Sequence, residues 1–269
     1  KELIDGGALG RLIGIEHTEN VAYWHYAHSF IRGNWHDSNT TSPMILQKCC
    51  HDMDILQWLA GSAPVRIGSF GSLRYFRREN APEGSTLRCV EGCKVKRDCP
   101  FNAERFYLEA YRKASEEERK ANWMFNVLTG NHPSLEGIRR AMYESDYGKC
   151  VFRCDNNVVD HQVAEIEFEN GVLATLTMSA YTKDCFRKTI VYGTDAELRA
   201  DDLNNVITVR RFLDGTREEK IDVNRLSDDF SGHGGGDNRM LEEFLTSVQG
   251  GRSDEEVASA LNKSLISHV

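Results

Sequence analysis

The segment HQVAEIEFENGVLATLTMSAY, residues 161–181, alternates apolar and polar side chains on both sides of Glu169-Asn170-Gly171. Period-two alternation marks a strand with one buried face, and Asn-Gly is a strong hairpin signal. The segment therefore predicts paired antiparallel strands at His161–Phe168 and Val172–Tyr181. Further β-type runs follow at Lys188–Tyr192, Glu197–Ala200, Val206–Phe212 and Glu218–Val223, with Asp214-Gly215 marking a second hairpin. Upstream, residues 11–22 and Val65–Phe76 also read as strands. Thr41 and Ser42 before Pro43 open a helix that runs to about Gly61, and Leu241, Phe244, Leu245 and Val248 form one stripe of a late helix. Hairpin-linked strands bracketed by helices predict an α+β fold: a large, mostly antiparallel open β-sheet with helices on one face. Its other face is left for self-association, so a homo-oligomer is expected.

Composition narrows the functional classes. The chain has 269 residues, 40% of them hydrophobic, and 33 Lys plus Arg against 41 Asp plus Glu give a net charge of −8. That is enough to bury a sizeable core, and the acidic balance argues against nucleic acid, whose phosphates need clustered basic residues. No apolar run approaches the roughly 20 residues that span a bilayer, and the first residues do not form a signal peptide. A cytoplasmic protein with no membrane partner is expected. Lys1 begins in a helix fragment, and Ser253-Asp-Glu-Glu256 caps a last helix without a stop signal, so the sequence reads as part of a longer polypeptide. Residues 77 to about 150 break the strand pattern with charged, Cys-bearing, partly helical sequence and are expected to be an insertion, with little core of its own, in one domain spanning 1–269.

On a continuous helix from Pro43 to Ala60, Ile45, Cys49, Leu56 and Leu59 form a core stripe, while Gln47, His51 and Asp54 occupy a polar face. Histidine exchanges protons near neutral pH, and Asp54 one turn on can orient it, which makes His51 a candidate acid–base residue; a surface or capping histidine is the plainer alternative. The run SPMILQKCCHDMDILQWLAG, residues 42–61, resembles the helix of the Gfo/Idh/MocA oxidoreductase family, in which a histidine is followed three residues on by an aspartate and an apolar run ending in glycine. Gly7-Ala-Leu-Gly-Arg-Leu, Phe168-Glu-Asn-Gly171, Tyr192-Gly-Thr-Asp-Ala and His233-Gly-Gly-Gly-Asp237 fit the same resemblance in order, covering nearly the whole chain.

The resemblance implies a two-domain enzyme: an N-terminal Rossmann domain binding NAD or NADP, and a C-terminal α+β domain supplying substrate contacts and the oligomer interface. This chain corresponds to the second, because no G-x-G-x-x-G follows a strand here, and the N-terminal NAD(P)-binding domain is absent from it. By the family pattern His51 is the proton-handling residue, with Asp54 and Gln47 as supporting catalytic positions. The family often has an acidic residue where this chain has Gln47, and glutamine cannot take the proton.

His25, His28, Arg32, Trp35 and His36 fall close together in what reads as a loop before that helix. Aromatic faces stack on sugar rings while Arg and His bond hydroxyls, so His25, His28, Arg32 and Trp35 are candidate substrate contacts, with His161 and His233 as weaker ones; rings that merely plug the sheet edge are the bland reading. Eight cysteines in an acidic chain of this size do not read as a disulfide framework. Cys89-x3-Cys93-x5-Cys99, with Cys150 or Cys154 beyond the insertion, can supply four thiolates to a structural zinc; an iron–sulfur cluster and free thiols are the other readings.

The sequence thus points to the substrate-binding and oligomerisation domain of an NAD(P)-dependent oxidoreductase acting on a sugar, cyclitol or related polyol. Two other readings stand beside it. One is an NAD-dependent glycosidase of the same superfamily, and the other a non-catalytic, metal-pinned binding or regulatory domain.

Overall fold

Alternation in residues 161–181 works as read. Ala164, Ile166 and Phe168 are buried on one side of their strand, and Ala174, Leu176, Met178 and Ala180 on the same side of the next. The turn closes as Asn-Gly chemistry requires: Gly171 adopts φ 82° and the Asn170 side chain accepts from the Val172 N–H at 3.1 Å. A computed structural model describes residues 1–213, 215, 218–226, 235–251, 253, 262 and 265–268. The strands are β1 (Leu12–Ala22), β2 (Pro64–Ser72), β3 (His161–Phe168), β4 (Leu173–Thr182), β5 (Phe186–Gly193), β6 (Ala196–Asp201), β7 (Val206–Arg211) and β8 (Glu218–Asp222). They form one eight-stranded sheet in the order β2-β3-β4-β1-β5-β6-β7-β8, antiparallel except where β1 lies parallel to β4. The expected α+β architecture is therefore present. β1 lies centrally, and its Ile15, His17, Glu19 and Val21 all face the buried side.

Helices cover that side. The segments are α1 (Glu2–Asp5), α2 (Tyr23–Tyr26), α3 (Met44–Gln47) and α4 (Cys50–Ala60), the last packing Leu56 and Ala60 inward and ending at Gly61 with φ 66°. A late helix, α9 (Gly236–Thr246), carries the Leu241 and Phe244 stripe; both side chains are exposed. The opposite face of the sheet presents Phe70, Val163 and Leu173 among Thr175, Thr177 and Glu165, with Phe70 86% exposed.

Four readings need correction. The single helix expected from Pro43 is two, broken at Lys48 and Cys49; Lys48 leaves helical geometry and its ammonium pairs with Glu19 of β1. The expected loop at 23–36 is largely helical, α2 continuing into a π-helical turn over Ala27–Arg32 whose residues are all buried, so His28 and Phe30 pack as core. The strand expected to reach Phe76 stops at Ser72, because the Arg74 and Tyr75 N–H groups donate to the Asp160 carboxylate instead of a neighbouring strand. The insertion, expected to have little core, has one. Tyr107 and Leu108 of a π-helical turn over Glu104–Glu109, which runs into α5 (Ala110–Lys113), pack with Phe125 of α7 (Trp123–Thr129) and with Ile138 and Met142 of α8 (Leu135–Glu144). Between them α6 (Glu116–Ala121) starts at a Ser115–Glu118 capping box. An Arg88–Lys149 bridge closes the insertion's neck.

Candidate functional site

The inward parity of β1 places two ionisable residues where a sheet normally buries apolar ones, and their partners converge from three elements. Register sets Glu19 opposite Arg187 and His17 opposite Thr189 on β5. Arg187 Nε lies 2.9 Å from Glu19 Oε2 and 2.7 Å from Oδ1 of Asp52, the latter in the first turn of α4. His17 Nε2 donates to the same Asp52 oxygen at 2.9 Å, and its Nδ1 stands 2.8 Å from Thr189 Oγ1. Lys48 adds its ammonium at 3.1 Å from Glu19 Oε1.

Charge is nearly balanced within this cluster, but its two carboxylates differ. Burial and the neighbouring Asp52 charge hold Glu19 above the usual carboxylate range, against Lys48 and Arg187. Burial also opposes ionisation of Asp52, yet hydrogen bonds from His17 and Arg187 outweigh it and hold that carboxyl low.

The cluster's outer rim is formed where β1 ends. The Ala22 N–H donates to Cys185 Sγ, and that sulfur lies 3.5 Å from His25 Nδ1. Burial, and then the Lys48 charge, push His25 down to about 4, which keeps the imidazole neutral. Its ring stacks on Trp24 and meets Trp123 of the insertion edge-on at 5.4 Å. Imidazole, thiol, ammonium and two indoles thus border one rim, a mixture able to bond hydroxyls and cover an apolar ring face.

His51 lies beside this cluster in sequence, in the first turn of α4, with its side chain exposed. Asp54 does not orient it: the Asp54 carboxylate accepts from Ser267 Oγ at 3.2 Å. Gln47 turns away from solvent and donates through Nε2 to Thr41 Oγ1 at 3.1 Å and to the Ser42 carbonyl, so it fixes the approach to α3.

The candidate substrate contacts separate. His25 joins the rim. His28 is buried, with Nδ1 2.9 Å from Tyr107 Oη and its ring against Trp123 and Tyr147; burial, with the His25 and Arg32 charges, pushes it down to about 3. Arg32 is interior as well, donating to the Lys149 and Phe101 carbonyls. Trp35 lies on the surface, 42% exposed. His161 is fixed elsewhere by Asp160 at 2.6 Å, beside a cavity of about 340 Å³ lined with Arg74, Tyr75 and Tyr181. His233 lies outside the described residues. All eight cysteines are free, and among the described residues no three His, Cys, Asp or Glu side chains already stand together as metal ligands.

Sequence reasoning missed His17, Glu19, Asp52, Lys48 and Arg187 as a unit. The available signal was the polar pair at inward positions of β1, between Ile15 and Val21.

No helix of the described residues is long and apolar enough to cross a membrane. No curated protein matches the chain. Among solved structures, a levoglucosan dehydrogenase in complex with NADH and L-sorbose is 13% identical over 99% of this chain and 58% of its own, with a TM-score of 0.54. An oxidoreductase from Thermotoga maritima is 10% identical over 99% of this chain and 54% of its own, with a TM-score of 0.51. The chain therefore spans little more than half of either, and at these identities the likeness is one of fold. The model of the oxidoreductase family's C-terminal alpha/beta domain matches residues 1–260. A match over nearly the whole chain settles the assignment: it belongs to the Gfo/Idh/MocA oxidoreductase family, as that family's C-terminal alpha/beta domain.

Proposed function

We propose that the chain is the substrate-binding part of an NAD(P)-dependent dehydrogenase that oxidises a CH–OH group of a sugar, cyclitol or related polyol. The family match carries this reading. The sugar-type ligands and NADH named for similar folds support it. The cofactor, when bound, exchanges a hydride with the reacting carbon. The residues of this chain do not fit it: among those described, no parallel βαβ unit or glycine-rich strand-to-helix turn is available for a pyrophosphate. Dinucleotide binding then falls to a domain outside these 269 residues, and this chain supplies groups on the substrate side.

His51, exposed in the first turn of α4, takes the hydroxyl proton. The neutral His25 ring and the Trp24 and Trp123 faces border the sugar, and Lys48 keeps a positive charge near its hydroxyls. Outward-facing Phe70, Val163 and Leu173 supply an apolar strip for pairing with a second copy. The test is a panel of sugars and cyclitols incubated with the full-length protein and NAD+ or NADP+. Stoichiometric reduced cofactor supports the reading. Glycoside cleavage with no net reduced cofactor selects the glycosidase alternative, and no turnover of any polyol rejects an enzymatic role.

A further inference from the structure

Four cysteines from two ends of the insertion line one enclosed space. Cys89, Cys93, Cys99 and Cys150 border a cavity of about 10 Å³, together with Arg32, Lys96, Phe101 and Phe152. That is roughly the room of one water-sized sphere, which suits a single ion and is too small for a cubane of iron and sulfide. The backbone holds two of the thiols side by side. The Cys89 N–H donates to the Gly148 carbonyl at 3.0 Å and the Cys150 N–H to the Leu87 carbonyl at 2.8 Å, across the Arg88–Lys149 bridge.

Arg32 provides an independent observation. Its side chain is wholly buried, its Nη1 has no hydrogen-bond partner, and no described carboxylate pairs with it. Beyond those carbonyls it faces the Tyr107 hydroxyl and the sulfurs of Cys89, Cys150 and Cys154, with Cys89 Sγ 4.0 Å from Nη2. A buried guanidinium with no carboxylate beside it is costly, and it calls for an anion in that cavity.

We propose that Cys89, Cys93, Cys99 and Cys150 bind one zinc ion as a tetrathiolate, with Arg32 beneath it as counter-charge. The four thiols release four protons to solvent as four Zn–S bonds form, and the doubly negative centre faces Arg32 and Lys96. The sulfurs border the cavity without yet meeting at a point, so the ion draws them inward. Cys154 is not the fourth ligand: it lies off the cavity and donates to the Cys150 carbonyl at 3.4 Å. The centre clamps the insertion to the buried turn that carries Arg32, and so fixes Trp123 against His25.

The experiment is elemental analysis of the purified full-length protein, followed by exchange of its metal for cobalt. The expected result is about one zinc per chain and, with cobalt, the intense visible bands of a tetrahedral tetrathiolate. Cys93→Ser and Cys150→Ser should lose the zinc and Cys154→Ser should keep it. Cobalt titration of the unaltered protein gives a readout even if a cysteine variant fails to fold. Absence of metal after preparation under reducing, zinc-replete conditions, iron with acid-labile sulfide in its place, or zinc retained by both Cys93→Ser and Cys150→Ser would overturn the assignment. Metal content is read without turnover, so this result stands apart from the dehydrogenase test.

Discussion

Arg187 of β5 joins two carboxylates from different elements, lying 2.9 Å from Glu19 on the neighbouring strand and 2.7 Å from Asp52 on α4. One guanidinium thereby ties the helix that carries His51 to the middle of the sheet. Because both acids are buried around a shared cation, they titrate as a linked set.

The two acids should respond to pH with opposite signs. Asp52 is held below its unfolded value, so its contribution is present above about pH 4 and fades as pH falls through the lower folded pKa. Glu19 is held above its unfolded value, so its contribution is full below about pH 4.3 and declines as pH rises through the higher folded pKa. Asp52→Asn, which leaves Arg187 and His17 short of an anion, should cost about 3–5 kcal/mol at pH 7 and less in acid. The deficit of Glu19→Gln should instead shrink as pH rises. Urea melts of both variants across pH 3–8 measure the two slopes, and parallel slopes would contradict the electrostatic assignment.

His28 makes a second pH-dependent contribution. Its folded pKa is pushed down to about 3, so the neutral ring stabilises the fold above the unfolded value near 6.5, and that stability is lost as pH falls towards the folded one. Between pH 6.5 and 5 the loss amounts to about 2 kcal/mol from this residue alone. His28→Phe keeps the edge-on contact with Trp123 and the stacking on Tyr147 but cannot protonate, so it should lose less stability than the unaltered protein over that interval. Its Tyr107 hydroxyl is left without its partner, at about 1–3 kcal/mol.

These buried groups mark the limit of what the sequence discloses. Asn170-Gly171 is legible because a hairpin is local chemistry, and β3 and β4 follow from alternation on either side of it. His51 is legible as a polar residue on a helix with an apolar stripe, and it is exposed. Glu19 and Arg187 are far apart in the chain and meet only through the β1–β5 register, which no local pattern specifies. Residues 23–36 suggested a loop because their rings follow neither helical nor strand spacing; a π-helical turn packed on all sides needs no such stripe. The insertion's core was hidden for a related reason, being assembled from short helices whose apolar residues align only once folded.

His51 should matter for turnover and little for stability. Its side chain is exposed at the start of α4, so His51→Ala should leave the urea midpoint close to that of the unaltered protein. Turnover of the full-length enzyme should fall by about 10²-fold or more if the imidazole takes the hydroxyl proton. Steady-state kinetics with a substrate found in the polyol panel decide this, and activity close to the unaltered level would remove His51 from the proposed chemistry.

Trp123 separates a contribution to binding from one to chemistry. Its indole comes from the insertion, meets His25 at 5.4 Å and His28 at 4.6 Å, and remains 43% exposed. An indole in that position can cover a sugar face while taking no part in proton or hydride movement. Trp123→Ala should therefore raise KM with little change in kcat. The aromatic contact is worth about 0.5–1.5 kcal/mol, or up to roughly tenfold in affinity. Trp123→Phe should recover most of the loss, because a ring face is restored. If kcat falls while KM holds, Trp123 instead positions His25 or His28 through packing. If neither constant changes, the insertion does not reach the substrate, and the rim around His25 faces something other than the sugar.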